Sequence, residues 1–224
     1  MTNSQIKHLA IIPDGNRRWS KKNNIPLEET YFYGCEKMFS LCALLFGAVE
    51  TLDEISLFFV SLENLKTRPG NELDALFSAG DHFIDLFHAN SKNAQVQIHW
   101  VGLEDHDFEV KGLRYRHFVE HIKNLQRRGR YTKEVNVLIG YDVRKDIERA
   151  LEKDRHFKYE NLQVNRAIDL IIRSGGFRRL SGFLPLMCQY SEFEFIEKLF
   201  LDVEESDVMH AIDNFSRSVR KFGT

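Results

Sequence analysis

A chain of 224 residues with 43% hydrophobic and 29% charged side chains is long enough for one domain with a substantial core, and its 4 prolines and 13 glycines exclude a disordered majority. A formal charge of −2 excludes a global basic field that would hold nucleic acid, so any anion must meet a local cluster. Three scattered cysteines, Cys35, Cys42 and Cys188, exclude a disulfide framework and a CxxC zinc site and fit a reducing cytoplasm. The longest apolar run, Leu41 to Val49, falls far short of the roughly 20 residues of a membrane span, so an integral membrane protein is not expected.

Short β-type runs alternate with longer amphipathic stretches, the pattern of a single α/β domain over residues 1–224 with a largely parallel sheet. The first strand is expected at Leu9–Ile12 and runs into Pro13-Asp14-Gly15-Asn16-Arg17-Arg18-Trp19-Ser20, a polar turn that enters a helix. Ligands of open α/β sheets sit at the carboxyl ends of strands, Gly15 allows close backbone approach, and helix-start N–H groups favour phosphate. Asn16 and Arg18 add donors. Asp14 would repel a phosphate unless a hard cation such as Mg²⁺ lay between them; taken alone, Asp14-Gly15-Asn16 also reads as a plain tight turn.

A second strand is expected at Ile55–Ser61, with Asn64 and Arg68-Pro69 after it. Leu73, Leu76, Phe77, Phe83, Ile84 and Phe87 then recur at helical spacing, as core or as the lining of a tunnel. Further strands are expected at Val96–Val101 and Val135–Tyr141. His82, His88, His117 and His121 lack the Glu of a zinc-helix motif and read as a helix surface. The basic run Gln126–Arg130 reads as a solvated turn. The fifth strand, Ile168–Ile172, leads into Arg173-Ser174-Gly175-Gly176, with Arg178, Arg179 and Ser181 close behind. Forked guanidinium donors and a hydroxyl make an anion pocket. Glu192 is either a second oxygen ligand for the cation or a surface glutamate.

Together these segments resemble the cis-prenyltransferase family, of the undecaprenyl diphosphate synthase type. His8 through Ser20 matches H-x-A-I-I-x-D-G-N-x-R-W-A with only the final residue changed, Asp169 through Leu184 aligns with D-L-x-I-R-T-G-G-E-x-R-x-S-N-F-L, and Tyr190, Glu192 and Phe195 align with Y-x-E-x-x-F. Asn64 and Arg68-Pro69 resemble part of S-S-E-N-W-x-R-P, and Phe222-Gly223 resembles the family's ending. The resemblance implies a mostly parallel six-stranded sheet flanked by helices, a hydrophobic tunnel for the prenyl chain, and a homodimer. It implies catalytic roles for Asp14, Asn16, Arg18 and Asn64, and substrate binding by Gly15, Arg17, Trp19, Arg68, Arg173, Arg179 and Ser181. Mg²⁺ would be held by Asp14 and Glu192, and the substrates would be an allylic prenyl diphosphate and a second prenyl diphosphate.

Departures from the family pattern gather on the accepting side. A histidine expected a dozen residues after Trp19 is missing, with Tyr31 or Cys35 at the aligned place. Leu65 replaces a tryptophan and Thr67 is an extra residue. Phe177 stands for a glutamate, Gly182 for an asparagine, and Pro185-Leu186-Met187 for a more regular stretch. These variants resemble the branch that makes irregular, lavandulyl-type products from two dimethylallyl units. Head-to-tail elongation with isopentenyl diphosphate and a non-catalytic accessory subunit are the alternatives.

Overall fold

The computed structural model describes residues 5–94, 96–103, 114–125 and 132–218; the basic run Gln126–Arg130 and the pair Phe222-Gly223 lie outside them. Six strands form one sheet: β1 (His8–Ile12), β2 (Glu54–Val60), β3 (Val96–Gly102), β4 (Lys133–Ile139), β5 (Leu170–Arg173) and β6 (Glu192–Phe195). The order is β3-β4-β2-β1-β5-β6 and every pairing is parallel. Five of the strands lie within a few residues of their expected places. β6 could not be read from its sequence pattern: Glu-Phe-Glu-Phe is four residues long and sits at the sheet's edge, where no side chain is fully buried.

Strand side chains alternate between the two faces of a sheet, and both faces here are covered. Leu9, Ile11, Ile55, Leu57, Val135, Val137 and Ile172 point into one core, which they share with four helices: α2 (Leu27–Ala48), α4 (Gly70–Ala94), α5 (Arg114–Leu125) and α7 (Glu205–Arg217). Ala10, Ile12, Phe58, Leu138 and Ile171 point into the second, with Phe183, Leu184 and Met187. In α2 the buried residues Tyr31, Cys35, Met38, Cys42 and Leu45 recur at three- and four-residue steps, the stripe that lays the helix on its neighbours. Phe77, Phe83 and Phe87 are buried core residues of α4.

The second face also buries polar groups at the amino-terminal ends of the strands. His8 Nε2 lies 2.8 Å from Ser56 Oγ, and Asn136 Nδ2 donates to Ser56 Oγ at 3.1 Å and to Glu54 Oε1 at 2.5 Å. Burial holds the His8 imidazole down at about 4 and pushes the Glu54 carboxyl up to about 7, so both are neutral between those values. In α6 (Val143–Lys153), Asp146 is buried and accepts the Tyr141 hydroxyl at 3.0 Å, which ties the helix to the end of β4; Arg144 turns outward to Asp142.

Candidate active site

Parallel register does the first work of building the site. Ile12 at the end of β1 pairs with Arg173 at the end of β5, so Asp14 and Arg173, remote in sequence, leave the same carboxyl-terminal edge of the sheet as neighbours. Arg173 Nη2 donates to Asp14 Oδ2 at 2.8 Å, and Arg18 Nη2 donates to Asp14 Oδ1 at 3.3 Å. The Asp14 carbonyl accepts the Ser174 hydroxyl at 3.0 Å and the Phe200 N–H at 3.0 Å, which fixes the backbone from which the carboxylate projects.

Gly15 follows in a left-handed conformation, φ 116°, that L side chains rarely adopt, and begins α1 (Asn16–Asn23). No side chain caps this helix. Its first-turn N–H groups therefore have no acceptor within the helix, and they carry the positive end of the helix dipole. A Cβ on Gly175, φ 86°, would come within 2.6 Å of Arg18 Nη2. The absent side chain lets Arg18 donate to the Gly175 carbonyl at 2.8 Å.

A cavity of about 740 Å³ opens over this edge, within the range of ligand sites. Asp14, Gly15, Asn16, Arg17, Arg18, Asn64, Arg68, Arg173, Arg179 and Ser181 all line it. The basic side chains on its wall are Arg17, Arg18, Lys21, Arg68, Arg173 and Arg179, and the carboxylates are Asp14 and Glu63. A chain with a net charge of −2 thus concentrates positive charge in one place. Ile12, Met38, Phe58, Phe59, Val60 and Leu76 line the cavity's apolar part. Phe58 and Phe59 belong to opposite cores yet both reach it, at a register irregularity between Phe58 and Val60 that bends the end of β2.

The polar wall is partly unspent. Arg173 is buried and donates to Ser181 Oγ at 3.1 Å and to the Arg179 carbonyl, while its Nε has no partner. Asn16 Oδ1 is likewise buried without a partner. Ser181 holds a left-handed φ of 54°, uncommon outside glycine, and such conformations gather at ligand sites. Arg179's guanidinium makes no hydrogen bond or ion pair among the described residues; it lies 4.3 Å from the centre of the Phe177 ring. Ser61 caps α3 (Leu62–Thr67) by accepting the Asn64 N–H at 3.1 Å, placing Asn64 on the cavity wall.

Tyr31 and Cys35, both candidates for the place of the missing histidine, line the cavity. The Tyr31 hydroxyl donates to Glu72 Oε1 at 2.8 Å and accepts from Arg68 Nη1 at 3.1 Å. Glu72 Oε1 also lies 3.6 Å from Arg17 Nε, so one carboxylate steadies two cavity arginines. Glu72 belongs to none of the sequence segments singled out above; its position four residues after Arg68 is the signal that points to it. Burial pushes the Tyr31 hydroxyl well above its usual range, and the Cys35 thiol likewise, so neither offers an anionic nucleophile.

Two expected site residues are not brought to the cavity. Trp19 turns away from it and donates Nε1 to Asp202 Oδ1 at 2.7 Å, anchoring α1 to the turn Phe200–Asp202. Glu192 pairs in register with Leu170, at the amino-terminal edge of the sheet, whereas Asp14 leaves the opposite edge. Within one chain Glu192 and Asp14 cannot share an ion. Arg178 reaches outward to Glu197 at 3.6 Å. Among the described residues no three His, Cys, Asp or Glu side chains converge as a metal cage. Asp14 alone still fits Mg²⁺, which keeps several waters and is held by one or two carboxylates together with substrate phosphates.

Residues 12–223 match the family model described as "Putative undecaprenyl diphosphate synthase". An isoprenyl transferase from Campylobacter jejuni is 32% identical over 98% of this chain and 99% of its own length. The tritrans,polycis-undecaprenyl-diphosphate synthase (geranylgeranyl-diphosphate specific) of Pyrobaculum aerophilum is 29% identical over 96% of this chain and 95% of its own. Among solved structures, lavandulyl diphosphate synthase from Lavandula x intermedia, in complex with dimethylallyl diphosphate, superposes with a TM-score of 0.79 at 22% identity over 98% of this chain and 99% of its own. A probable undecaprenyl diphosphate synthase from Campylobacter jejuni gives 0.74 at 27% identity over 99% of this chain and 100% of its own.

Proposed function

Because the chain belongs to the undecaprenyl diphosphate synthase family of prenyltransferases, we propose that its cavity holds two short prenyl diphosphates together and joins their hydrocarbon chains, releasing one diphosphate. The carrying observation is the wall on which six basic side chains, Arg17, Arg18, Lys21, Arg68, Arg173 and Arg179, surround Asp14 beside an apolar lining.

The leaving diphosphate lies over the uncapped start of α1, where the N–H groups of the first turn and Arg18 meet its charge. The second diphosphate lies against Arg173, Arg179 and Ser181. Asp14, together with phosphate oxygens, would hold Mg²⁺, which supplies charge neutralisation of the leaving group. As the carbon–oxygen bond breaks, its electron pair leaves with the diphosphate. The neighbour's double bond attacks the allylic carbon, a carbon–carbon bond forms, and an adjacent carbon loses a proton to the departed diphosphate. Holding both reactants in one cavity supplies the proximity this step requires.

Dimethylallyl diphosphate in both roles is the product-determining reading, supported by Phe177 where the family has a glutamate and by the cavity wall, on which, among the described residues, Asp14 and Glu63 are the carboxylates. An allylic acceptor keeps its own diphosphate only if that group is bound without the ion that promotes departure. Head-to-tail elongation is the second reading, favoured by the 32% identity to an isoprenyl transferase along nearly the full length of both chains. Incubation with Mg²⁺ and dimethylallyl diphosphate alone is expected to yield a branched ten-carbon diphosphate and one inorganic diphosphate per coupling. Product formed only after isopentenyl diphosphate is added establishes the second reading instead.

A further inference from the structure

Three guanidinium groups from different parts of the cavity wall meet around one side chain. Arg179 lies 4.3 Å, Arg18 4.9 Å and Arg173 5.9 Å from the centre of the Phe177 ring, itself 39% exposed at the cavity. Three like charges so close repel one another, and Asp14 neutralises only part of that charge through Arg18 and Arg173. Arg179 receives nothing from Asp14.

The face of an aromatic ring is electron-rich and attracts a cation without accepting its N–H bonds. A guanidinium has five in-plane donors, and contact through its face leaves them available for phosphate oxygens. A carboxylate at the same place would hold the arginines as well, but it would take up their donors and subtract a unit of positive charge. We propose that Phe177 is a positioning residue: it holds Arg179 with its charge and donors unspent, beside Arg18, of which only Nη2 is engaged, and so sets the affinity of the pocket for diphosphate, above all the second substrate's. This rests on the reading of the cavity given above.

The probe is inorganic diphosphate, titrated calorimetrically at fixed ionic strength, alongside KM and kcat. Phe177→Leu keeps an apolar side chain but removes the ring. It is expected to weaken diphosphate binding and raise the KM for dimethylallyl diphosphate roughly five- to thirtyfold, the worth of two exposed cation–π contacts, with kcat within about twofold. Phe177→Tyr, which keeps the ring, is expected to restore both, and Phe177→Glu to weaken binding at least as far as Phe177→Leu. Because the ring is partly exposed, the thermal midpoints of these variants are expected to match the parent. Parental affinity in Phe177→Leu, or no recovery in Phe177→Tyr, overturns the positioning role while leaving the two-substrate reading intact. Failure of the parent itself to bind diphosphate overturns both.

Discussion

Asp14 answers to two demands that a substitution can separate. Its charge is balanced in the resting cavity by Arg18 and Arg173, and in the proposed reaction it turns to the ion at the leaving group. Asn keeps oxygen and shape but not charge. Asp14→Asn is expected to lower kcat about 10²- to 10³-fold, the cost of removing one electrostatic contributor to a transition state, while diphosphate binding persists on the arginines. An unchanged kcat contradicts the assignment. At this scale the motif Asp14-Gly15-Asn16-Arg17-Arg18 was open to a reader of the sequence because neighbouring residues stay neighbours at a strand end. Phe177 was visible only as an oddity, since its effect lies in ring faces and guanidinium planes, which no spacing encodes. Trp19, the next residue, turns the other way because helical rotation carries it past the cavity toward Asp202.

β2 shows how one element serves both ends of the sheet. Its carboxyl end bends to deliver Phe58 and Phe59 to the cavity, while its first residue, Glu54, is buried against Asn136 and Arg166. The folded state raises the Glu54 carboxyl from 4.5 to about 7, so it binds that proton more tightly than the unfolded chain. Its contribution to stability is therefore complete below about pH 4.5 and is lost as pH rises through about 7. His8 has the opposite sign: its contribution is present above 6.5 and lost as pH falls toward about 4. Urea titrations at pH 5 and 8 are expected to show the parent losing up to about 3 kcal/mol more stability than Glu54→Gln, at about 1.36 kcal/mol per pKa unit. Equal losses contradict the burial of an ionisable carboxyl.

The first five strands were legible from their short apolar runs, and β6 was not; β5 begins at Leu170, later than the expected Ile168, because Ile168 bonds to Met187 rather than to the sheet. Register likewise separates Glu192 from Asp14 within one chain. A motif fixes an alignment, but only register says which edge of a sheet a residue leaves.

At the scale of the whole molecule the organising fact is uneven charge: a chain near neutrality gathers cations at the carboxyl edge of its sheet and, among the described residues, leaves β6 as an edge strand with Phe193 exposed. Unpaired strand edges with exposed aromatic side chains favour association, and sedimentation is expected to find the mass of a homodimer; a monomer at micromolar concentration contradicts that proposal. The parallel α/β architecture was open to sequence reasoning, since alternating runs specify it. The meeting of the two basic segments in one cavity was carried by the family resemblance and not by the spacing of residues, because it depends on β1 and β5 being adjacent, and the chain between them gives no sign of that. Calorimetric titration with a non-reactive thiolo analogue of dimethylallyl diphosphate, in the presence of Mg²⁺, tests it most directly. Two equivalents per chain are expected, falling to one in Arg179→Ala; a single equivalent for the parent contradicts the side-by-side binding of two substrates.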